Sequence, residues 1–185
     1  MKGPAFALVG GFALFAASLG RAQAAPDAVF LQAGRGDGTT SATAGIDWDF
    51  ARTWRPGNVL IDGYWDLSVA HWRTDAESRS FSLSQVGITP VFRLRTSPDS
   101  RWFTEAGIGL TWTTARYRSS DKRFTTNFNF ADHVALGRIF GQSRRHIVTL
   151  RYEHFSNGGI RRPNPGVNFG QLRYTYRFGD SPASR

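Results

Sequence analysis

Apolar and polar residues alternate along this chain in about eight segments, parted by turn-forming residues, and a period of two admits strands and little else. On a strand, residues two apart share a face, so each segment has one apolar side and one polar side. The first, roughly 28–36, is mixed. The second, about 40–50, sets Ala42, Ala44, Ile46, Trp48 and Phe50 against Thr43, Asp47 and Asp49. In the third, Val59, Ile61, Trp65, Leu67 and Val69 oppose Asp62, Tyr64, Asp66 and Ser68. The fourth, about 80–94, aligns Val86, Ile88, Phe92 and Leu94; the fifth aligns Trp102, Ala106, Ile108, Leu110 and Trp112 opposite Glu105 and Thr111. The sixth carries Phe128, Phe130, Val134 and Leu136 together. The seventh, about 145–157, sets Val148, Leu150 and Tyr152 against Thr149, Arg151 and Glu153. The eighth, from about Val167, sets Leu172, Tyr174, Tyr176 and Phe178 against Gln171, Arg173 and Arg177.

Two environments suit such a pattern: a soluble barrel with its apolar faces inward, or a membrane barrel with them outward. Alternation alone does not choose. An eight-stranded barrel has room for side chains and little more, and its lumen does not hold this many tryptophans and phenylalanines. Several faces also pair an apolar middle with aromatic ends, as a lipid band flanked by aromatic girdles requires. Mean hydropathy is only −0.34, as expected when lumenal residues dilute lipid-facing ones. The reading is all-β: an eight-stranded antiparallel transmembrane β-barrel. Its lumenal faces carry both charge signs (Asp62, Asp66, Glu105, Glu153, Arg151, Arg173), which predicts an internal network and disfavours a porin.

The first 24 residues read as a secretory signal, with Lys2, an apolar run from about Ala5 to Leu19, and Ala22-Gln23-Ala24 as a cleavage site. The mature chain is then expected to run over 25–185 as one barrel domain, with Gly179 to Arg185 trailing past the last strand. Loss of Lys2 and Arg21 lowers the formal charge from +9 to about +7. Excess positive charge on an exported protein points to anionic partners such as lipopolysaccharide phosphates; nucleic acid is not expected. There are no cysteines, so disulfides do not hold the fold. No zinc, phosphate-loop or dinucleotide motif occurs, and neither metal nor cofactor is implied.

The run Tyr152-Glu153-His154-Phe155-Ser156-Asn157-Gly158-Gly159 carries the chemistry. His154 and Ser156 share a face, and a base beside a hydroxyl is the minimum equipment for acyl transfer, provided a third group orients the base. The glycines offer unobstructed backbone N–H groups to an oxyanion. The pair continues the Val148-Leu150-Tyr152 face and so points to lipid, where polar groups are costly and mark function. With the N-terminus periplasmic, strand seven ends outside, at the outer leaflet. A lipid entering from the side is the expected substrate.

His154 to Ile160, followed by Arg161-Arg162-Pro163-Asn164-Pro165-Gly166, resembles the signature of the lipid A 3-O-deacylase (PagL) family. Asp62-Gly63-Tyr64-Trp65-Asp66, Glu105 to Gly109 and Asn129-Phe130-Ala131-Asp132 resemble further family segments. The resemblance implies an outer-membrane barrel that hydrolyses the ester-linked 3-hydroxyacyl chain at position 3 of lipid A. It implies Ser156 as nucleophile and His154 as general base. Gly158 and Gly159 N–H groups, with the Asn164 side chain, would form the oxyanion hole.

The chain departs from the family pattern where a glutamate orients the histidine: Gly166-Val167-Asn168-Phe169 holds no carboxylate. Asn168 has outward parity and is the expected orienter. Asp132, in an otherwise apolar face of strand six, is the alternative, brought opposite His154 by a turn near 141–144. Glu153 has lumenal parity and is a poor orienter, and His133 belongs with the internal network. Arg161 and Arg162 are candidates for lipid A phosphates. A catalytically silent structural or adhesive barrel is the competing reading, favoured by the missing glutamate. The joint presence of His154, Ser156, Asn157, Gly158, Gly159 and Asn164 favours the esterase. The broad aromatic exterior also suits pairing with a second copy of the chain.

Overall fold

The computed structural model describes residues 25–76 and 79–178, so the expected signal segment and the tail after Phe178 lie outside the described residues. Eight strands follow one another: β1 (Ala28–Gly36), β2 (Thr39–Asp49), β3 (Leu60–Ala76), β4 (Arg79–Arg95), β5 (Trp102–Thr113), β6 (Phe128–Phe140), β7 (His146–Ser156) and β8 (Val167–Arg177). Each pairs antiparallel with the next, and β1 pairs with β8 to close the barrel. Within the barrel wall each strand pairs on both sides, the condition for a sheet to cross hydrocarbon.

The apolar faces point outward. Leu31, Val69, Ile108, Trp112, Val134, Leu150 and Leu172 are all more than half exposed, while Asp47, Asp66, Glu105, Arg151 and Arg173 are buried. This inverts a soluble barrel and is stable only with lipid around it. Trp102, Phe140, Tyr174 and Phe178 gather at one end of the exterior.

Inside, arginines and carboxylates interlock. Arg173 donates to both oxygens of Asp47 at 2.8 and 2.7 Å and also pairs with Asp66. Arg93 and Arg151 reach Glu105 at 3.2 and 3.3 Å, and the Tyr64 hydroxyl donates to the same carboxylate at 3.1 Å. Arg95 pairs with Asp62, and Arg177 with Asp49. Above this layer Trp72, Leu83, Tyr117, Phe124, Phe155 and Phe169 form an aromatic plug; a smaller cluster of Phe103, Ile139 and Ile147 lies elsewhere in the interior. The lumen is filled, as its width and its mixed charges predict.

Departures from the predicted strands have physical causes. The mixed pattern of β1 arises because Phe30 points inward, where the Arg173 guanidinium stacks 3.4 Å from its ring centre. Phe50 leaves the second strand and folds over Gly63, where any Cβ would meet its ring at 2.6 Å, against Trp65 and Phe92. Strand β3 runs further than its predicted apolar face, alongside a β4 that keeps close to its predicted bounds, Arg79–Arg95. They stay paired as far as Ala76 and Arg79, after β2 has ended against Thr74 and before β5 joins at Gln85. That extension lies beyond any lipid band, so no lipid-facing pattern marks it.

The connections at the two ends differ. One end bears the β1–β2 turn, the 157–166 and 114–127 loops and the β3–β4 extension; the other bears both ends of the described segment and the links at 50–59, 96–101 and 141–145. Long loops mark the extracellular end of such barrels.

Candidate active site

At the extracellular end of β7, His154 and Ser156 face outward and are half-buried, while Phe155 between them is buried in the aromatic plug. A strand tilted at about 40° climbs about 2.6 Å per residue along the membrane normal. His154, four residues beyond Leu150 at the strand's middle, therefore sits about 10 Å above the midplane, near the top of an apolar band about 25 Å tall.

Strand pairing sets the neighbours of His154: Asp132 on β6 and Asn168 on β8 stand directly opposite it on either side. The imidazole is engaged with Asn168, whose Oδ1 lies 2.7 Å from Nδ1. An amide oxygen only accepts, so Nδ1 carries the proton and Nε2 is left as the base. Asp132 is exposed on the same outer surface, and no hydrogen bond links it to His154 among the described residues. Glu153 points into the lumen near His133 and Arg151.

Ser156 accepts the Gly158 N–H at 3.4 Å. Among the described residues, no hydrogen bond joins it to His154; the two share a face two residues apart. The loop after Ser156 is organised by Asn157, a buried residue. Its backbone N–H donates to Asn164 Oδ1 at 3.0 Å, and its Oδ1 accepts from the Gly159 N–H at 2.9 Å. Its Nδ2 donates to Arg161 O at 2.8 Å and to Thr125 Oγ1 at 3.0 Å. The amide is fully satisfied, and it ties the 157–166 loop to the 114–127 loop.

This arrangement sorts the expected oxyanion donors. The Gly159 N–H is taken by Asn157. Asn164, its oxygen held by the Asn157 N–H, keeps Nδ2 as a donor, and the Gly158 N–H sits beside the Ser156 hydroxyl. Arg161 and Arg162 are exposed in the same loop.

Two contributors lay outside the residue-by-residue reading. Asn157 was legible only as part of the motif; its lumenal parity hides the role of an anchor. Gly166 has φ +62°, and a Cβ there would lie 2.6 Å from His154 Cε1 and 3.1 Å from Nε2. Only glycine leaves room for the imidazole where it stands.

Below His154 the outer surface is grooved. Phe92, Ala106, Ile108, Val134, Tyr152 and Asp132 line, with His154, a depression of about 570 Å³ whose walls are mostly apolar.

The family model for lipid A 3-O-deacylase (PagL) matches residues 38–177. The lipid A deacylase PagL of Bordetella bronchiseptica is 34% identical over 113 residues, which span 61% of this chain and 61% of that protein. The lipid A deacylase PagL of Pseudomonas aeruginosa is 31% identical over 132 residues, 70% of this chain and 73% of its own. The crystal structure of the outer membrane enzyme PagL superposes with a TM-score of 0.69 at 25% identity, covering 80% of this chain and 98% of that one. Family match, barrel closure and outward apolar faces agree, and this chain belongs to the lipid A 3-O-deacylase (PagL) family of outer-membrane β-barrels.

Proposed function

We propose that this barrel hydrolyses the ester-linked 3-hydroxyacyl chain at position 3 of lipid A by a serine–histidine mechanism on its lipid-facing surface. The observation that carries this reading is the outward His154–Ser156 pair at the extracellular end of β7, above a mostly apolar depression in the outer surface. A lipid in the leaflet arrives there by lateral diffusion.

In the proposed reaction, His154 Nε2 takes the Ser156 hydroxyl proton as Oγ attacks the ester carbonyl. This step needs the imidazole and hydroxyl to close on one another, as catalytic hydrogen bonds commonly do once substrate is bound. The oxyanion that forms receives the Gly158 N–H and Asn164 Nδ2. Collapse expels the sugar 3-oxygen, which leaves with the proton from the imidazolium. Water then attacks the acyl-serine with His154 again as base, releasing the 3-hydroxy acid and regenerating Ser156. Asn168 holds the tautomer throughout, and Arg161 and Arg162 are available to the substrate phosphates. Pairing of two copies through the aromatic exterior is a separate expectation, tested by cross-linking in outer-membrane fragments.

Mass spectrometry of lipid A from cells expressing the wild type and Ser156→Ala tests the reading. Loss of one 3-hydroxyacyl mass with the wild type alone is the expected result. Unchanged lipid A with a folded barrel would favour a silent barrel, a reading that the absence of a carboxylate on His154 supports.

A further inference from the structure

The β1–β2 turn brings a carboxylate to the back of the site. Asp37 Oδ2 accepts the backbone N–H of Asn168 at 2.9 Å, and Asn168 in turn holds His154 Nδ1 at 2.7 Å. The same Oδ2 receives Lys122 Nζ at 2.8 Å, from the 114–127 loop that crosses the barrel mouth. That crossing is fixed independently, because the Tyr117 hydroxyl meets Thr39 Oγ1 at 2.7 Å beneath it. Residues from four connected elements thus form one line: Lys122, Asp37, Asn168, His154.

We infer that Asp37 is a positioning residue for the reaction, holding Asn168 against the imidazole and supplying, from one residue further back, the negative charge that the family's glutamate supplies by direct contact. The inference rests on the proposed serine–histidine chemistry. An amide fixes the histidine tautomer but carries no charge to stabilise an imidazolium. A carboxylate bonded to the backbone N–H of Asn168 does, over a longer distance and from the solvent-exposed rim of the barrel, where water weakens its field at the imidazole. Burial raises the Asp37 pKa, but Lys122 and the Asn168 N–H outweigh it and hold the carboxyl below its usual range. It is therefore ionised wherever an imidazole is neutral.

Lys122 and His154 act on Asp37. Asn168 on β8 is neutral, and Asp132 on β6 faces His154 from the far side. Removing Asp37 or Lys122 therefore changes the field at the imidazole in opposite directions.

Asp37→Asn is the variant of choice. Asp37 has φ +50°, a left-handed conformation that asparagine tolerates well, so the turn survives while the charge goes. Release of 3-hydroxy acid from purified lipid A in detergent micelles is followed against pH for the wild type, Asp37→Asn and Lys122→Met, with far-UV circular dichroism of each. In Asp37→Asn we expect kcat to fall about tenfold with KM little changed. The acid limb of the profile, which reports protonation of the base, moves to lower pH in Asp37→Asn and to higher pH in Lys122→Met. The substrate's own ionisation is common to all three and cancels. Wild-type kcat in Asp37→Asn, or a lowered kcat with limbs unmoved in both variants, would overturn the inference and leave Asp37 a mere fastening. Full activity in Ser156→Ala would instead sink the reading on which it rests.

Discussion

His154 Nδ1 and Asn168 Oδ1 lie 2.7 Å apart, across directly paired positions of β7 and β8. The contact does for the imidazole what a carboxylate does in most serine hydrolases, except to balance its charge. Replacing the orienting aspartate by asparagine in a serine protease costs about 10⁴ in rate, largely through the wrong tautomer. Here the tautomer is the right one, so only part of that loss applies. Asn168→Asp is expected to raise kcat by about tenfold to a hundredfold, and Asn168→Ala to lower it by a similar factor. Asp132→Asn is expected to cost less than Asn168→Ala, since His154 makes no hydrogen bond to Asp132. Acid release from lipid A under saturating substrate measures all three.

Gly166→Ala attacks the site from beneath the ring. The new methyl would sit 2.6 Å from His154 Cε1, at a backbone φ of +62°. The imidazole is the softer partner and is expected to swing away, taking Nε2 with it. A displacement near 1 Å at a catalytic group costs about a hundredfold in rate, with the barrel itself intact. Activity is measured beside the heat-modifiable gel mobility of the folded barrel. Unaltered kcat would mean the ring is not where the reaction needs it.

The strands and their facing were legible because lipid on one side and charge on the other leave no freedom in a period of two. Asn168 and Asp132 could be placed beside His154 by the same parity, once the turns fixed the register. Lumenal aromatics were not legible: Phe30, Phe155 and Phe169 sit at polar parity because an eight-stranded lumen needs stacking surfaces for its arginines and a plug. The anchoring amide of Asn157 depends on the path of two loops, which no periodicity encodes. Asp37 was read only as part of a turn, since its partner Asn168 lies 131 positions away and meets it only through barrel closure.

The lumenal network makes a prediction about stability alone. Arg173 contacts Asp47 and Asp66 and stacks on Phe30, all buried. Arg173→Met keeps much of the volume but takes the cation from Asp47 and leaves Asp66 with Arg151 alone, 3.8 Å away. Breaking a buried pair from one side costs about 3–5 kcal/mol. The urea midpoint for unfolding from lipid vesicles should fall accordingly. Asp47→Asn combined with Arg173→Met should recover part of the loss, because one stranded charge is then gone. A midpoint unchanged by the single variant would show that water reaches the lumen and screens the carboxylates.

Acid should loosen the back of the site through Asp37. Asp37 has a depressed pKa in the folded chain, so its contribution is complete above the ordinary carboxylate value of 3.8 and is lost as pH falls through the lower folded value. Protonation weakens its hold on both the Lys122 ammonium and the Asn168 N–H. The amide proton of Asn168, followed by nuclear magnetic resonance in detergent micelles, should therefore titrate below pH 3.8. In Asp37→Asn that titration should vanish, because no group remains on the turn to give up its charge. A titration that persists in the variant would assign the change to another acid and separate Asp37 from the line that leads to His154.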